Sequence, residues 1–173
     1  MGAEENEAVV RRYNAAINAN DPAAALALVH PEAVYHYGER TVRGRDAYAQ
    51  GNAAGRRTFP DWSVAIQALV AAGDLVATRS TVQATHLGPY DAGPLGVLAP
   101  TGTAVTFTQQ SMFRVRDGQL VEVWVERDTL RLLRELGALP PAGGSAPPDS
   151  AQTASPAHDD ASAPSSRPEV DPA

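Results

Sequence analysis

The stretch that decides the fold spans residues 114–137 and reads RVRDGQLVEVWVERDTLRLLRELG. Apolar and polar residues alternate on both sides of Asp117-Gly118, a dipeptide typical of the tight turn in a β-hairpin. We therefore predict that residues 107–115 and 120–125 form paired antiparallel strands. Asp128 then has the character of a helix N-cap. A short amphipathic helix is expected to follow it and to close over a core through three leucines, Leu130, Leu133 and Leu136.

The residues before the hairpin predict helices first and strands later. Apolar residues at helical spacing, with Asp21-Pro22 as a start signal, indicate helices over residues 4–19, 23–29 and 46–56. Strands are predicted over residues 33–37, around Thr41-Val42, and over residues 62–71, 75–86 and 104–115. Helices grouped early and antiparallel strands grouped late are typical of an α+β domain.

The composition excludes several classes of function. Because it has no cysteine, the chain has no disulfide framework, no thiolate nucleophile and no cysteine-ligated metal. A formal net charge of −6 argues against nucleic acid or an anionic membrane as a partner. No apolar run reaches the length of a membrane span, and the acidic start MGAEENEAVV is unlike a signal peptide. We therefore expect a soluble cytoplasmic protein.

The chain divides near Leu139. Residues 1–139 carry the apolar patterns and are predicted to form one domain. Residues 140–173 contain eight prolines, and Val170 is the only large apolar residue among them. Such a segment buries too little apolar surface to offset the entropy of ordering, so a disordered tail rich in Pro, Ala, Ser and Asp is predicted.

Three further motifs accompany the hairpin: FPDWSV at 59–64, THLG at 85–88 and APTG at 99–102. Over residues 4–137 the chain resembles the SnoaL-like polyketide cyclases of the nuclear transport factor 2-like superfamily. The resemblance implies a cone in which three N-terminal helices pack on a curved antiparallel sheet, with a short C-terminal helix. It also implies a pocket for a small apolar, polyketide-like ligand, and a homodimer formed through the outer face of the sheet.

Strand alternation sorts the side chains that face this pocket, because successive residues point to opposite sides. By resemblance, the face that carries Ala33, Tyr35 and Tyr37 is the inner one. Tyr35 and Tyr37 are then catalytic candidates, since a phenol can donate a hydrogen bond to an enolate or polarise a carbonyl. The alternative is that both tyrosines only pack, with their hydroxyls bonded to backbone or water. His36, on the opposite face, is expected at the surface or at a dimer interface.

The expected ligand-binding residues come from the first helix and the last two strands. Phe107, Gln109 and Ser111 share one strand face, and Tyr13 lies on the core side of the first predicted helix. Gln109 and Ser111 can form hydrogen bonds but do not exchange protons near neutral pH. The resemblance implies a histidine where this chain has Ser111, and a catalytic aspartate where it has Val125.

Alternation on the last strand predicts that Val121, Val123 and Val125 face inward. Trp124 and Glu126 then face outward, and only a β-bulge would turn Glu126 into the pocket. Because valine carries no titratable group, acid–base chemistry in this pocket needs a proton carrier from another position.

Two residues are candidates for that proton carrier. His86, in THLG, ends a strand near the expected pocket mouth, and imidazole is suited to proton transfer near neutral pH. The alternative is a solvated histidine that serves loop structure. Asp128 matches an acidic position common in the family, and its alternative role is to cap the last helix. With no HxH or HExxH spacing, no phosphate loop and no GxSxG elbow, we expect neither metal nor cofactor.

Two functions of different classes remain open at this point. The first is an enzyme of polyketide or aromatic natural-product tailoring, as in antibiotic biosynthesis. It would be a cyclase, or a related isomerase, a lyase-type dehydratase or a hydratase that acts next to a carbonyl. The second is a non-catalytic ligand-binding or scaffold protein of the same fold, which is favoured by the non-titrating residues Val125 and Ser111.

Overall fold

Four α-helices, one short 3-10 helix (Gly93–Leu95) and eight strands occur in the described part of the chain, residues 2–38 and 40–140 of a computed structural model. The helices are α1 (Ala3–Asn18), α2 (Pro22–Ala27), α3 (Arg45–Thr58) and α4 (Thr129–Glu135). The strands are β1 (Val29–Tyr37), β2 (Arg40–Arg43), β3 (Ser63–Ala72), β4 (Leu75–Thr85), β5 (Tyr90–Asp91), β6 (Val97–Leu98), β7 (Ala104–Arg116) and β8 (Gln119–Arg127). This order, with three early helices and a short last one, is the predicted α+β architecture.

Six strands form one sheet in the order β2-β1-β8-β7-β4-β3, and β5 pairs with β6 separately. Every pair in the large sheet is antiparallel except β1 with β8, which is parallel. The implied sheet was antiparallel throughout, so this mixed pairing is a difference. Its cause is topological, because β1 and β8 are joined through the rest of the sheet and no tight turn dictates their direction.

The hairpin predicted from Asp117-Gly118 is confirmed. β7 and β8 pair antiparallel, and Arg116 lies opposite Gln119 across a two-residue turn. Asp117 has a φ of 49° and Gly118 a φ of 78°, as a type I′ turn requires at both central positions. This turn follows the twist of the strands and sets the register of the last two strands.

A β-bulge in β8 changes part of the predicted inner face. The register shifts between Arg114 and Val115, which leaves Val121 as an extra residue on β8. Leu120 is therefore turned toward the core, where it is 0% exposed, while Val121 is only half-buried. The expectation that Val121 faces inward is wrong, because the bulge reverses the alternation on one side of it.

The second helix is shorter than predicted. α2 ends at Ala27, and Val29 begins β1 instead of ending a helix. Val29 is fully buried opposite Leu120, and its β-branched side chain suits a strand. The register of β1 against β8 shifts between Val29 and Val34, and Pro31, which has no N–H to donate, lies in this irregular stretch.

Two clusters of buried apolar side chains hold the helices on the sheet. The first joins α1 to β1, β7 and β8, and α4 closes the second through Leu132 and Leu136. Full burial of a leucine side chain contributes roughly 1.5–3 kcal/mol. Leu136 was predicted for this role, whereas Leu130 is 51% exposed and Leu132 occupies the core position instead.

Two further expectations concern the C-terminal tail and membrane-spanning helices. The predicted tail, residues 140–173, lies outside the described residues except for Pro140. Among the helices that the structure describes, none is long and apolar enough to cross a membrane.

Candidate functional site

A cavity of about 370 Å³ lies between the helices and one face of the sheet. Its apolar lining includes Val10, Ile17, Phe59, Val64, Ile66 and Phe113. Its ionisable lining side chains are all tyrosines or arginines: Tyr13, Tyr35, Tyr37, Tyr48, Tyr90, Arg40, Arg56 and Arg127. Among the described residues, no carboxylate and no imidazole lines this cavity.

Six of the nine predicted site residues line this one cavity: Tyr13, Tyr35, Tyr37, Gln109, Ser111 and Val125. Alternation, with the inner face taken from the resemblance, put the β1, β7 and β8 members of this set on faces that meet at this cavity. Phe107, His86 and Asp128 are not among the lining residues, and each has a different local environment.

Four tyrosines form one connected aromatic group in the cavity. Tyr48 of α3 stacks on Tyr35 of β1 with ring centres 4.1 Å apart, and Tyr35 stacks on Tyr37 at 6.2 Å. The hydroxyls of Tyr13 and Tyr48 share a hydrogen bond, and Asn52 Nδ2 donates to the Tyr48 hydroxyl at 3.3 Å. These contacts tie α1 and α3 to β1, and they fix the direction in which Tyr35 and Tyr37 point.

The Tyr35 hydroxyl is buried without a hydrogen-bond partner. The residue is 1% exposed, and no described group bonds its hydroxyl. The Tyr13 hydroxyl lies close enough to lower the pKa of Tyr35 in part, but the hydrogen bond that Tyr13 forms is with Tyr48. A buried hydroxyl left in this state costs about 1–3 kcal/mol. Tyr35 therefore brings to the cavity lining a hydroxyl that has no hydrogen-bond partner among the described residues.

Burial raises the pKa of all four of these tyrosines. Desolvation is the main cause in each, and for Tyr13 and Tyr35 the rise is large. The hydrogen bonds to Tyr48 and the charge of Arg127 near Tyr37 lower the pKa of those two phenols in part. The phenols are therefore neutral at physiological pH, where they donate hydrogen bonds and do not accept protons.

Arg127, at the end of β8, is an exposed cation that lines the cavity. Its guanidinium carbon lies 5.0 Å from the ring centre of Trp62 and 5.7 Å from that of Tyr37. Its Nε donates to Gln109 Oε1 at 3.0 Å, and Gln109 Nε2 donates to Ser111 Oγ at 3.1 Å. Although the residue is exposed to solvent, the groups crowded around its guanidinium desolvate it enough to lower its pKa, and arginine still stays protonated in proteins.

Arg56 brings a second positive charge but uses its hydrogen bonds on the backbone. Its Nη1 donates to the carbonyl oxygens of Pro60 at 3.2 Å and Trp62 at 2.9 Å, and its Nη2 donates to that of Ile17. The residue thereby braces the end of α3 against α1 and the start of β3. Arg56 therefore adds a positive charge to the cavity lining, while its terminal nitrogens form hydrogen bonds that stabilise the fold.

His86 is buried in the fold and does not lie at the cavity mouth. It is 0% exposed, and its ring packs against Phe59 at 5.5 Å and Tyr90 at 6.3 Å. The backbone N–H of Thr101 donates to its Nδ1 at 3.3 Å, and the Thr101 hydroxyl lies 3.1 Å from the same nitrogen. These contacts hold the loop between β6 and β7 against the end of β4, and His86 is not among the residues that line the cavity.

Asp128 and Phe107 also have structural surroundings. Asp128 is exposed and caps α4, since its Oδ1 accepts from the Arg131 N–H at 3.0 Å. This is the capping role given as the alternative in the sequence analysis. Phe107 is buried in the second cluster with its ring edge-on to Trp62, and Trp62 takes the place at the cavity wall.

The site residues that the sequence reasoning missed include Arg127, Tyr48 and Asn52. Arg127 follows Val125 by two positions, so the alternation used for the valines already placed it on the same face. Tyr48 and Asn52 are one helical turn apart on α3, a spacing that puts both side chains on one side of the helix.

In the part of the chain that is described, no three His, Cys, Asp or Glu side chains lie close enough together to hold a metal ion.

Comparisons with known proteins agree with this geometry. The family described as SnoaL-like polyketide cyclase matches residues 7–136. AclR of Streptomyces galilaeus, a proposed hydroxylase, is 29% identical with a TM-score of 0.71, over 80% of this chain and 100% of that one. IdmH of Streptomyces antibioticus, a proposed polyketide cyclase, is 30% identical with a TM-score of 0.66, over 76% of this chain and 98% of that one.

A third solved structure, TsrD of Streptomyces laurentii, is 26% identical with a TM-score of 0.68, and the match covers 80% of this chain and 99% of TsrD. A comparison with curated proteins gives no match. The family match covers most of the chain, and the solved structures share its helices-on-sheet fold. This chain therefore belongs to the SnoaL-like polyketide cyclase family, whose fold is nuclear transport factor 2-like.

Proposed function

We propose that this protein binds a polyketide-like carbonyl compound and promotes a reaction, such as cyclisation or isomerisation, at the carbon next to a carbonyl. It does so by stabilising the enolate through hydrogen bonds, without a carboxylate or histidine base of its own. The observation that carries the proposal is the cavity lining, in which the ionisable side chains are tyrosines and arginines.

The enolate oxygen would be held by Tyr35 and Tyr37. Tyr35 has a buried hydroxyl without a partner, and the raised pKa values keep both phenols protonated and able to donate. A donor fixed in a water-poor site stabilises a developing oxyanion more than the same donor in water. The stacking of Tyr35 on Tyr48 keeps the donor in place before the ligand arrives.

A poly-β-carbonyl substrate would not require a strong base from the protein. A C–H bond between two carbonyl groups is already acidic, so water or buffer can take its proton once the enolate is stabilised. The enolate carbon then attacks a second carbonyl of the same molecule, a C–C bond forms, and the resulting alkoxide takes a proton from solvent. Gln109 and Ser111 would position the carbonyl oxygens through hydrogen bonds.

A second candidate function is ligand binding without catalysis. It is favoured by the pair of lining residues Val125 and Ser111, neither of which titrates near neutral pH. In that case the cavity would hold the same class of ligand, but the ligand's ionisation would be unaffected by the protein.

An aryl 1,3-diketone, benzoylacetone, tests the proposal. The fraction of its enolate is read from ultraviolet absorbance as a function of pH, with and without excess protein, and exchange of its central C–H with solvent deuterium is followed by NMR. We expect the protein to lower the apparent pKa of the bound diketone and to speed the exchange. Loss of one such donor typically reduces turnover about 100- to 1000-fold, so Tyr35→Phe is expected to reverse most of the effect.

Stability provides the control for that variant. Tyr35→Phe removes an unpartnered buried hydroxyl, so the ligand-free protein is expected to be as stable as wild type or more stable. Tyr48→Phe removes a bonded hydroxyl and is expected to destabilise by about 1 kcal/mol. If benzoylacetone binds while its ionisation and exchange stay unchanged, the binding function replaces the catalytic one.

A further inference from the structure

The positive charges of the cavity have no carboxylate to balance them among the described lining residues. Three arginines line it, in a chain whose formal net charge is −6. The three arginines also differ in how many of their N–H groups are free to bind a ligand. Arg56 has its terminal nitrogens on backbone oxygens, and Arg40 lies exposed at the start of β2.

Arg127 differs from both in its hydrogen bonding. Its Nε is held by Gln109, while none of the described residues accepts a hydrogen bond from its two terminal nitrogens or pairs with its charge. Stacking on Trp62 and Tyr37 fixes the plane of the guanidinium. The terminal N–H groups of a guanidinium held in this way match the two oxygens of a carboxylate.

Burial decreases along the row that ends at this arginine. Tyr35 is fully buried, its stacking neighbour Tyr37 is half-buried, and Arg127 over the ring of Tyr37 is exposed. A ligand lying along this row would have one end at the Tyr35 hydroxyl and the other end at the guanidinium. Rings or carbonyl groups between the ends would lie against the aromatic wall.

From this arrangement we propose that Arg127 is a specificity-determining residue that selects ligands with a free carboxylate. The substrate would be a planar or poly-carbonyl acid whose ionised carboxylate pairs with Arg127, while its carbonyl end reaches Tyr35. This rests on the proposed function for the identity of the cavity as the ligand site, and it adds the charge and the orientation of the ligand.

The test compares two ligands of the same shape, 2-naphthoate and neutral 2-naphthamide, by titration calorimetry. Wild type is expected to bind the acid at least about tenfold more tightly, because a hydrogen bond to a charged group is stronger than one to a neutral group. Arg127→Gln is expected to bring the ratio of the two affinities close to one. Arg127→Lys keeps the positive charge but loses the paired N–H donors of the guanidinium, so it is expected to give an intermediate ratio of the two affinities.

Arg131→Gln is the matched control, since it removes the same charge from exposed helix α4 next to the site. The ratio is expected to stay at its wild-type value in this variant. The preference for the acid is also expected to fall as salt rises, because Arg127 is exposed and salt screens a solvent-exposed ion pair. Equal binding of the two ligands by wild type, no binding of the acid, or a preserved preference in Arg127→Gln would each overturn the proposal.

The two proposals fail in different ways. Loss of acid preference in Arg127→Gln, together with unchanged enolate stabilisation in Tyr35→Phe, supports the carboxylate site and rejects the proposed chemistry. The reverse pattern supports the enolate chemistry and rejects Arg127 as the selector of ligand charge.

Discussion

Val125 lies directly opposite Ser111 across the β7–β8 pair, and both side chains line the cavity. These are the two positions at which the resemblance to the cyclases implies an aspartate and a histidine. Side chains opposite each other on paired strands are close enough to interact, so an aspartate and a histidine here would form an acid–base pair. In this chain the same place holds an apolar side chain next to a hydroxyl.

Val125→Asp is expected to restore a proton acceptor at this position. A positioned general base typically contributes about 100- to 10,000-fold, so the variant is expected to speed deuterium exchange of benzoylacetone by tenfold or more over wild type. The new carboxylate would be half-buried among phenols, where desolvation raises its pKa while the nearby charge of Arg127 lowers it, so it is ionised and able to accept a proton at neutral pH. The measurement is the NMR exchange rate at several pH values.

Val121→Asp is the control for that experiment. Val121 is the extra residue of the bulge and is not among the lining residues, so the same substitution there is expected to leave the exchange rate unchanged. Equal rates in both variants would indicate that the gain came from net charge and not from position.

The contrast between Val121 and Val125 shows what the sequence could predict. Alternation and the Asp117-Gly118 turn sorted the strand faces, and the family resemblance implied which face is the inner one; Tyr35, Gln109, Ser111 and Val125 all line the cavity. The bulge was not predictable, since Val121 continues an uninterrupted pattern of alternate valines. Its position depends on how Leu120 packs against Val29, a contact between residues far apart in sequence.

The sequence analysis misplaced His86 and overlooked Arg127 for different reasons. His86 ends a strand, and its burial depends on a loop that folds back through Thr101, which no local pattern encodes. Arg127 was accessible to the alternation rule, but a charged residue at the end of a strand is usually solvated and was given no role. Its contact with Trp62 joins the end of β8 to the residue before β3, and β7 and β4 lie between these two strands in the sheet, so only the fold brings the two residues together.

His86→Ala is expected to lower stability and to leave ligand binding intact. The change removes a fully buried ring from the contacts with Phe59 and Tyr90 and frees the loop at Thr101. A loss of about 2–4 kcal/mol in the free energy of unfolding is expected from cavity formation and lost hydrogen bonds. Urea denaturation measures it, and calorimetry with 2-naphthoate at low temperature checks binding.

Thr101→Val accompanies that variant, since it removes the hydroxyl but keeps the imidazole. It is expected to cost about 1 kcal/mol. A His86→Ala protein that keeps wild-type stability but loses deuterium exchange activity would instead make His86 the proton carrier.

Gly88→Ala is expected to be destabilising because the backbone of THLG lies against the end of α3. The N–H groups of Leu87 and Gly88 both donate to Thr58 O, at 2.9 and 3.1 Å. A Cβ on Gly88 would lie 2.2 Å from the carbonyl oxygen of Arg57, so the two segments would have to separate. A loss of about 2 kcal/mol or more is expected from such overpacking.

Gly51→Ala is the matched comparison within α3. No atom lies within 4 Å of a Cβ built there, and the residue is helical. Alanine is better than glycine in a helix by about 0.5–1 kcal/mol, so this variant is expected to be more stable than wild type. Thermal unfolding of both variants checks the opposite signs, and a destabilised Gly51→Ala protein would contradict the described packing of α3.

We expect the tyrosines of the folded protein to ionise at a higher pH than free tyrosine. The chain has five, Tyr13, Tyr35, Tyr37, Tyr48 and Tyr90, and all five have a raised pKa, mainly through desolvation. In the unfolded chain each would titrate near pH 10. Since the folded pKa values lie above the unfolded ones, this contribution to stability is complete below about pH 10 and is lost as the pH rises through the folded values.

Spectrophotometric titration of phenolate, with circular dichroism in parallel, measures this effect. Phenolate absorbance is expected to lag behind that of the urea-denatured chain and then to rise steeply as the fold is lost. Bound 2-naphthoate is expected to delay the rise further, because a ligand that binds only the folded state stabilises it by mass action. A folded protein whose phenolate signal develops near pH 10 would mean that water fills the cavity, and the tyrosine hydroxyls would then lose the dry surroundings on which the proposed enolate chemistry depends.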